Sequence, residues 1–147
     1  MSRKLFYIIF ICLLSFFQRA SSQDCVLPES EPVNTGANMT IFITSDVINS
    51  FTLSSPSPYI VVFPNSDPGL VIGRTSLASS DLIGGQQSIA VWGDDTSTPE
   101  TDGAANGEVM LFQLVDGNNL YDINFTFAGP NSFVANGTLP AIGVTYE

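Results

Sequence analysis

Residues 108–128 read EVMLFQLVDGNNLYDINFTFA, and they decide the class of fold. In the second half Tyr121, Ile123, Phe125 and Phe127 alternate with Asp122, Asn124 and Thr126, the period of two that gives a strand one packed face and one wet face. The first half carries Met110, Phe112 and Leu114 at the same spacing. Between them Asp116-Gly117-Asn118-Asn119 supplies small residues suited to a tight reversal. The stretch is a β-hairpin.

The same signals recur on both sides of it. Residues 37–44 alternate, with Met39, Ile41 and Ile43 on one face, and residues 88–92 (SIAVW) read as another strand. Residues 59–63 (YIVVF) form a short apolar run suited to a buried strand, and Asn65-Ser66-Asp67-Pro68-Gly69 turns the chain towards 70–73 (LVIG), which predicts a second hairpin. Residues 132–135 and 142–146 are expected to close the fold as two short strands. One helical turn is predicted at 46–53, with Val47, Ile48 and Phe51 on its apolar side. Seven or eight short strands between Gly, Pro, Asn and Asp turns predict an all-β domain, a two-sheet antiparallel sandwich. Its expected core includes Ile41, Ile43, Val61, Ile89, Val91, Phe112, Leu114, Ile123, Phe125 and Phe127.

Ahead of this domain the chain has the layout of an export signal. Arg3 and Lys4 precede an apolar run at 5–17, and Ala20-Ser21-Ser22 follows with the small residues a signal peptidase prefers. A membrane helix needs about 20 apolar residues, more than this run provides before Gln18 and Arg19. The reading is therefore a signal peptide over 1–23, an extended Pro-rich lead-in over 24–36, and one domain over 37–147, secreted or held at the cell surface without a transmembrane segment.

Removing the signal leaves Arg74 as the one basic residue against all 14 acidic ones. Nucleic-acid binding requires Lys and Arg to neutralise phosphates, so this acidic protein is not expected to bind nucleic acid. The chain has no His and its single Lys lies in the signal. That excludes a Ser-His-Asp triad, a Cys-His pair, a Schiff-base lysine and a His-ligated metal in the exported protein, and the expectation is a protein that is not an enzyme. Cys12 leaves with the signal, so Cys25 stands alone as a free thiol or one end of an intermolecular disulfide.

The densest polar stretch runs over 93–108. Its carboxylates, Asp94, Asp95, Glu100, Asp102 and Glu108, allow two readings: a calcium site, since Ca²⁺ takes six to eight oxygens, or turns held by side-chain bonds to backbone amides. Trp92, just before this loop, either closes the end of a core or stacks on a sugar. Asn38, Asn124 and Asn136 each begin an Asn-X-Thr glycosylation sequon.

The run Asn34-Thr35-Gly36-Ala37-Asn38-Met39-Thr40, followed by Val71-Ile72-Gly73, Ala90-Val91-Trp92-Gly93-Asp94-Asp95, Thr98-Pro99-Glu100, Asp102-Gly103, Gly107-Glu108 and 112–117 (FQLVDG), resembles a domain of large secreted surface proteins of bacteria. There the domain is often repeated, and in some members a type IX secretion sorting tail follows it. The resemblance covers about 34–146. It implies a cohesin-like or immunoglobulin-like sandwich, no catalytic motif, and a role in adhesion or scaffolding. Two functions follow: a structural or adhesive module, stiffened by calcium if the acidic loop binds it, with a surface protein, matrix glycan or second copy as partner, or a carbohydrate-binding module using Trp92.

Protein recovered from the medium is expected to begin at Gln23 or Asp24 on N-terminal sequencing; an intact Met1 would overturn the signal assignment.

Overall fold

The computed structural model describes residues 27–147, so the expected signal peptide and Cys25 lie outside the described residues. Seven strands and one short helix follow one another in the order β1 (Asn38–Ile43), α1 (Ser45–Ser50), β2 (Tyr59–Pro64), β3 (Gly73–Ser76), β4 (Gln87–Trp92), β5 (Met110–Asp116), β6 (Asn119–Phe127) and β7 (Thr138–Tyr146). Among the described residues no helix is long and apolar enough to cross a membrane.

The all-β reading holds, and the sandwich does not. The strands form one sheet, β1-β4-β3-β2-β5-β6-β7, that closes into a barrel. Closure comes from β7, whose first half runs parallel to β1 (Thr40 opposite Thr138, Ile43 opposite Ala141) while its second half pairs antiparallel with β6. The strand expected at 142–146 is only the second half of β7, because Pro140 interrupts the pattern of the first. Pro140 is accommodated where β7 passes from one partner to the other, its carbonyl accepting from Ala128 N at 2.9 Å.

Inside the barrel Met39, Ile41 and Ile43 of β1 meet Ile60 and Val62 of β2, Ile89 and Val91 of β4, and Phe112 and Leu114 of β5, all buried. Val47, Ile48 and Phe51 of α1 and its exit join the same core at the end where β1 finishes. At the opposite end, residues 132–135 make no strand; they carry Phe133 inward as a plug, fully buried and packed against Gly93.

Two other expectations shift. The hairpin expected around the 65–69 turn forms with its second arm shifted along the chain: β3 begins at Gly73 and pairs with Tyr59–Val62, Ile72 N donates to Val62 O at 2.9 Å, and Val71 folds onto the outer wall with Val61 and Phe63 as a second apolar cluster. Val61 is thus buried on the outside of the barrel, not within it. On β6 only Ile123 is fully buried. Phe125 and Phe127 are half-buried against the core, the Phe125 ring edge-on to Phe112 at 5.1 Å and the Phe127 ring tilted against it at 5.6 Å.

The lead-in lies back along the outer wall. Thr35 Oγ1 donates to the Gly93 carbonyl, and the Arg74 guanidinium bonds the Glu29 carbonyl at 2.9 Å and the Glu31 carboxylate at 2.5 Å while covering the Tyr59 ring at 4.2 Å.

Asp116, at the end of β5, is the one buried charged residue among those described, 2 % exposed. Its carboxylate accepts from Ser54 N at 2.7 Å, Ser54 Oγ at 2.8 Å and Ser55 N at 2.6 Å, tying the α1–β2 connection to the central hairpin. Burial alone pushes its pKa up, and the three hydrogen bonds outweigh that and hold it below the ordinary Asp value. A depressed pKa contributes stability above the unfolded value, near pH 4, that is lost as pH falls through the folded one. Asp116→Asn is expected to cost about 2–3 kcal/mol at pH 7 in a denaturant titration. The variant should also lose less stability than the parent on acidification below about pH 4; equal acid sensitivity would show that Asp116 does not set it.

Candidate functional site

The acidic loop leaves the barrel at Trp92 and returns at Ala104. Its two ends pair as parallel strands do, with Ala104 N donating to Trp92 O at 3.0 Å and Asp94 N to Ala104 O at 2.9 Å. So close an approach needs residues without side chains. A Cβ on Gly103 would stand 2.2 Å from the Gly93 carbonyl carbon and oxygen, and one on Gly93 would stand 2.6 Å from the Phe133 ring. The Trp-Gly-Asp-Asp and Asp-Gly pieces of the sequence are the two sides of this neck.

Above the neck the carboxylates bond backbone amides. Asp94 Oδ1 accepts from Asp102 N at 3.0 Å, and Asp102 Oδ1 accepts from Asp95 N at 2.9 Å, a reciprocal pair that locks the loop's base. Asp95 Oδ1 accepts from Ser97 N at 2.9 Å, and the bonds to Ser97 hold the Asp95 carboxyl below its usual range. Glu108 lies in a separate arrangement, Oε1 accepting from Ser66 N at 2.8 Å and Oε2 from Ala105 N at 2.9 Å. Partial burial raises the Glu108 pKa, and the bonds from Ser66 and Ala105 bring it below the ordinary value.

The structure therefore brings Asp94, Asp95 and Asp102 into one turn and sends Glu108 to the β2–β3 loop. Glu100 is exposed and takes part through its carbonyl, which accepts from Thr98 Oγ1 at 3.2 Å. Among the described residues no three His, Cys, Asp or Glu side chains group as a metal site. The geometry is that of side-chain-to-amide turns.

Trp92 is half-buried at the end of β4. It alternates with the inward Val91, so it belongs to the outer wall, with Asn38 as its register partner on β1. The three sequons divide into two places. Asn124 is exposed on β6, opposite Thr145 of β7. Asn38 and Asn136 are neighbours across the β1–β7 seam: Asn136 N donates to Asn38 O at 2.7 Å, and the threonines of the two sequons, Thr40 and Thr138, are register partners. Asn136 holds a positive φ of 59°, which Asn tolerates better than most residues.

Sequence reasoning missed Asp116 and Arg74. Asp116 read as a turn residue in the hairpin, and only the distant Ser54-Ser55 amides give it its second role. Arg74 was visible as a lone cation, but its partners, Glu29, Glu31 and Tyr59, are far along the chain. No family model, no curated protein and no solved structure matches this chain.

Gly103→Ala places a methyl against backbone that cannot move aside, and it is expected to destabilise the domain by about 3 kcal/mol or more. Gly129→Ala, whose added methyl meets only Leu139 at 3.4 Å, is the control and should fall within about 0.5 kcal/mol of the parent in the same denaturant titration. Similar losses for both would mean that the neck is not closed as described.

Proposed function

We propose that this chain is a non-catalytic, secreted module acting as a structural or adhesive element at the cell surface or in the surrounding matrix. The observation that carries this reading is the use of the carboxylates. In a domain without His or Lys they are, beside the tyrosines, the general acids and bases available, and Asp94, Asp95, Asp102, Glu108 and Asp116 are each engaged with backbone amides. These five serve as fasteners, not as reagents. The export-type N-terminus, the acidic charge and the resemblance to repeated domains of bacterial surface proteins support an extracellular setting. Carbohydrate recognition is the second reading, favoured by a cleft between β5 and β6 lined by Gln113, Asp122, Asn124 and Phe125 and not by Trp92.

On this reading the acidic loop is stiff through its own hydrogen bonds, and calcium is dispensable. A bound ion present at a hundredfold above its Kd would add about 2.7 kcal/mol, which raises the melting temperature of a domain this size by roughly 5–10 °C. The expected outcome is one melting temperature in millimolar CaCl₂, in EDTA and in NaCl of matched ionic strength. A calcium-specific rise would show that the loop carboxylates regroup around an ion. Turnover of chromogenic glycoside, ester or peptide substrates by the exported protein, lost in carboxylate variants, would overturn the non-catalytic reading itself.

A further inference from the structure

The barrel wall opens between β5 and β6. The two strands pair from Asp116–Asn119 up to Phe112–Ile123 and no further. Beyond that point Leu111 and Met110 stay with β2, opposite Phe63 and Pro64, while Asn124–Phe127 stay with β7. The parting leaves a cleft of about 470 Å³, within the range of small-molecule sites.

The β5 side of the cleft has been sealed against another strand. Carbonyls point alternately to the two sides of a strand, and Val109 O accepts from Asn65 N on the β2 side. Glu108 O and Met110 O therefore face the parting, where they accept from Phe133 N at 2.8 Å and from Asn131 Nδ2 at 2.9 Å. An incoming peptide strand would find these acceptors taken. The Met110 carbonyl also fixes which way round the Asn131 amide lies. That leaves its Oδ1 buried without a hydrogen-bond partner among the described residues.

The cleft's polar groups are Gln113, Asp122, Asn124 and Asn131, with Leu111 and half-buried Phe125 as apolar surface. Gln113 Nε2 donates to Asp122 Oδ1 at 2.9 Å, holding both side chains in place and leaving the second Asp122 oxygen and the Gln113 carbonyl oxygen to face a ligand. Such a set suits groups that both donate and accept, as hydroxyls do. No basic residue lines the cleft, and Asp122 is joined there by Glu147, so anionic ligands are repelled.

We propose that the β5–β6 cleft binds a neutral oligosaccharide, with Gln113, Asp122 and Asn124 bonding its hydroxyls and Leu111 and Phe125 packing against its C–H face. This assignment rests on the reading of the chain as a non-catalytic module and names the ligand class of that module.

The test is a titration of the ¹⁵N-labelled exported protein with linear neutral hexasaccharides: β-1,4-glucan, α-1,4-glucan, β-1,4-xylan and β-1,4-mannan. Hexagalacturonate, a lysine-rich octapeptide and CaCl₂ serve as competing classes. At least one neutral hexasaccharide is expected to shift the amides of residues 111–113 and 122–125, whereas hexagalacturonate shifts none of them. Asn124→Ala and Asp122→Asn alter exposed side chains, so they should leave the spectrum of the folded protein intact while weakening binding about tenfold each. The proposal is overturned if no neutral hexasaccharide moves the cleft amides, if the shifts centre on Trp92 instead, or if only the peptide or calcium produces them. Release of new reducing ends during the titration would refute the non-catalytic reading and leave the cleft assigned. Absence of both shifts and cleavage would refute the cleft and leave the module reading standing.

Discussion

The architecture depends on the pairing of the first strand with the last. Without the parallel contact between Thr40–Ile43 of β1 and Thr138–Ala141 of β7, the sheet would end in two exposed rows of unpaired N–H and C=O groups, which invite association with other chains. With it, the sheet encloses its own apolar face. Ala141 is the pivot: it stands opposite Ile43 on one side and Phe127 on the other and is fully buried. Only a small side chain suits a position where three strands converge, and the neighbouring bulge at Thr126/Phe127 supplies the bend that lets β7 serve both partners.

Closing a barrel settles the interior and leaves the connections to be fixed by other means. In this chain the means is the carboxylate–amide hydrogen bond, a charge-assisted contact stronger than its neutral counterpart. Asp116 fastens the α1–β2 connection, Asp94 and Asp102 lock the base of the long loop, and Glu108 joins that loop to the β2–β3 turn. A domain with so few basic residues has little scope for ion pairs. The single pair among the described residues, Arg74 with Glu31, is formed with a carboxylate 77 % exposed, and contacts of that kind contribute at most about 1 kcal/mol. The acidic composition is thus used locally, carboxylate by amide.

What was legible in the sequence is what short-range physics controls. The central hairpin, the alternation of β1, the strand at β4 and the helical turn at α1 are each encoded by neighbours two to four residues apart. The sandwich expectation failed because the pairing of residues about 100 positions apart along the chain leaves no local trace, and Pro140 masks the half of β7 that makes it. Residues 132–135 misled for a related reason. Phe133 is as apolar as a strand residue, and its role as an end plug follows only from its contact with Gly93. At the acidic loop the residue types left calcium and hydrogen-bonded turns both open. Pairings such as Asp102 with Asp95 N are what spacing alone does not specify.

The outer wall carries the remaining logic of the fold. An apolar cluster on the outside of a barrel, such as Val61, Phe63 and Val71, would ordinarily be a liability in water. Here the wall is covered in two ways: the segment after β2 folds back so that Val71 joins the cluster, and Arg74 stretches over Tyr59 to hold the lead-in by Glu29 and Glu31. Arg74 contributes through its stem and its flat guanidinium face as much as through its charge, which explains how the one basic residue after position 23 is useful in a place where the ion pair itself is weak. The wall that is covered on the β2–β3 side is parted on the β5–β6 side. The difference is physical: β3 is held to β2 along Tyr59–Val62, whereas β5 gives up β6 beyond Phe112 and takes Phe133 and the Asn131 amide in its place. The same segment that plugs the barrel's end therefore also keeps the wall open, so the cleft is maintained by the packing of Phe133 together with the Asn131 amide that lines it.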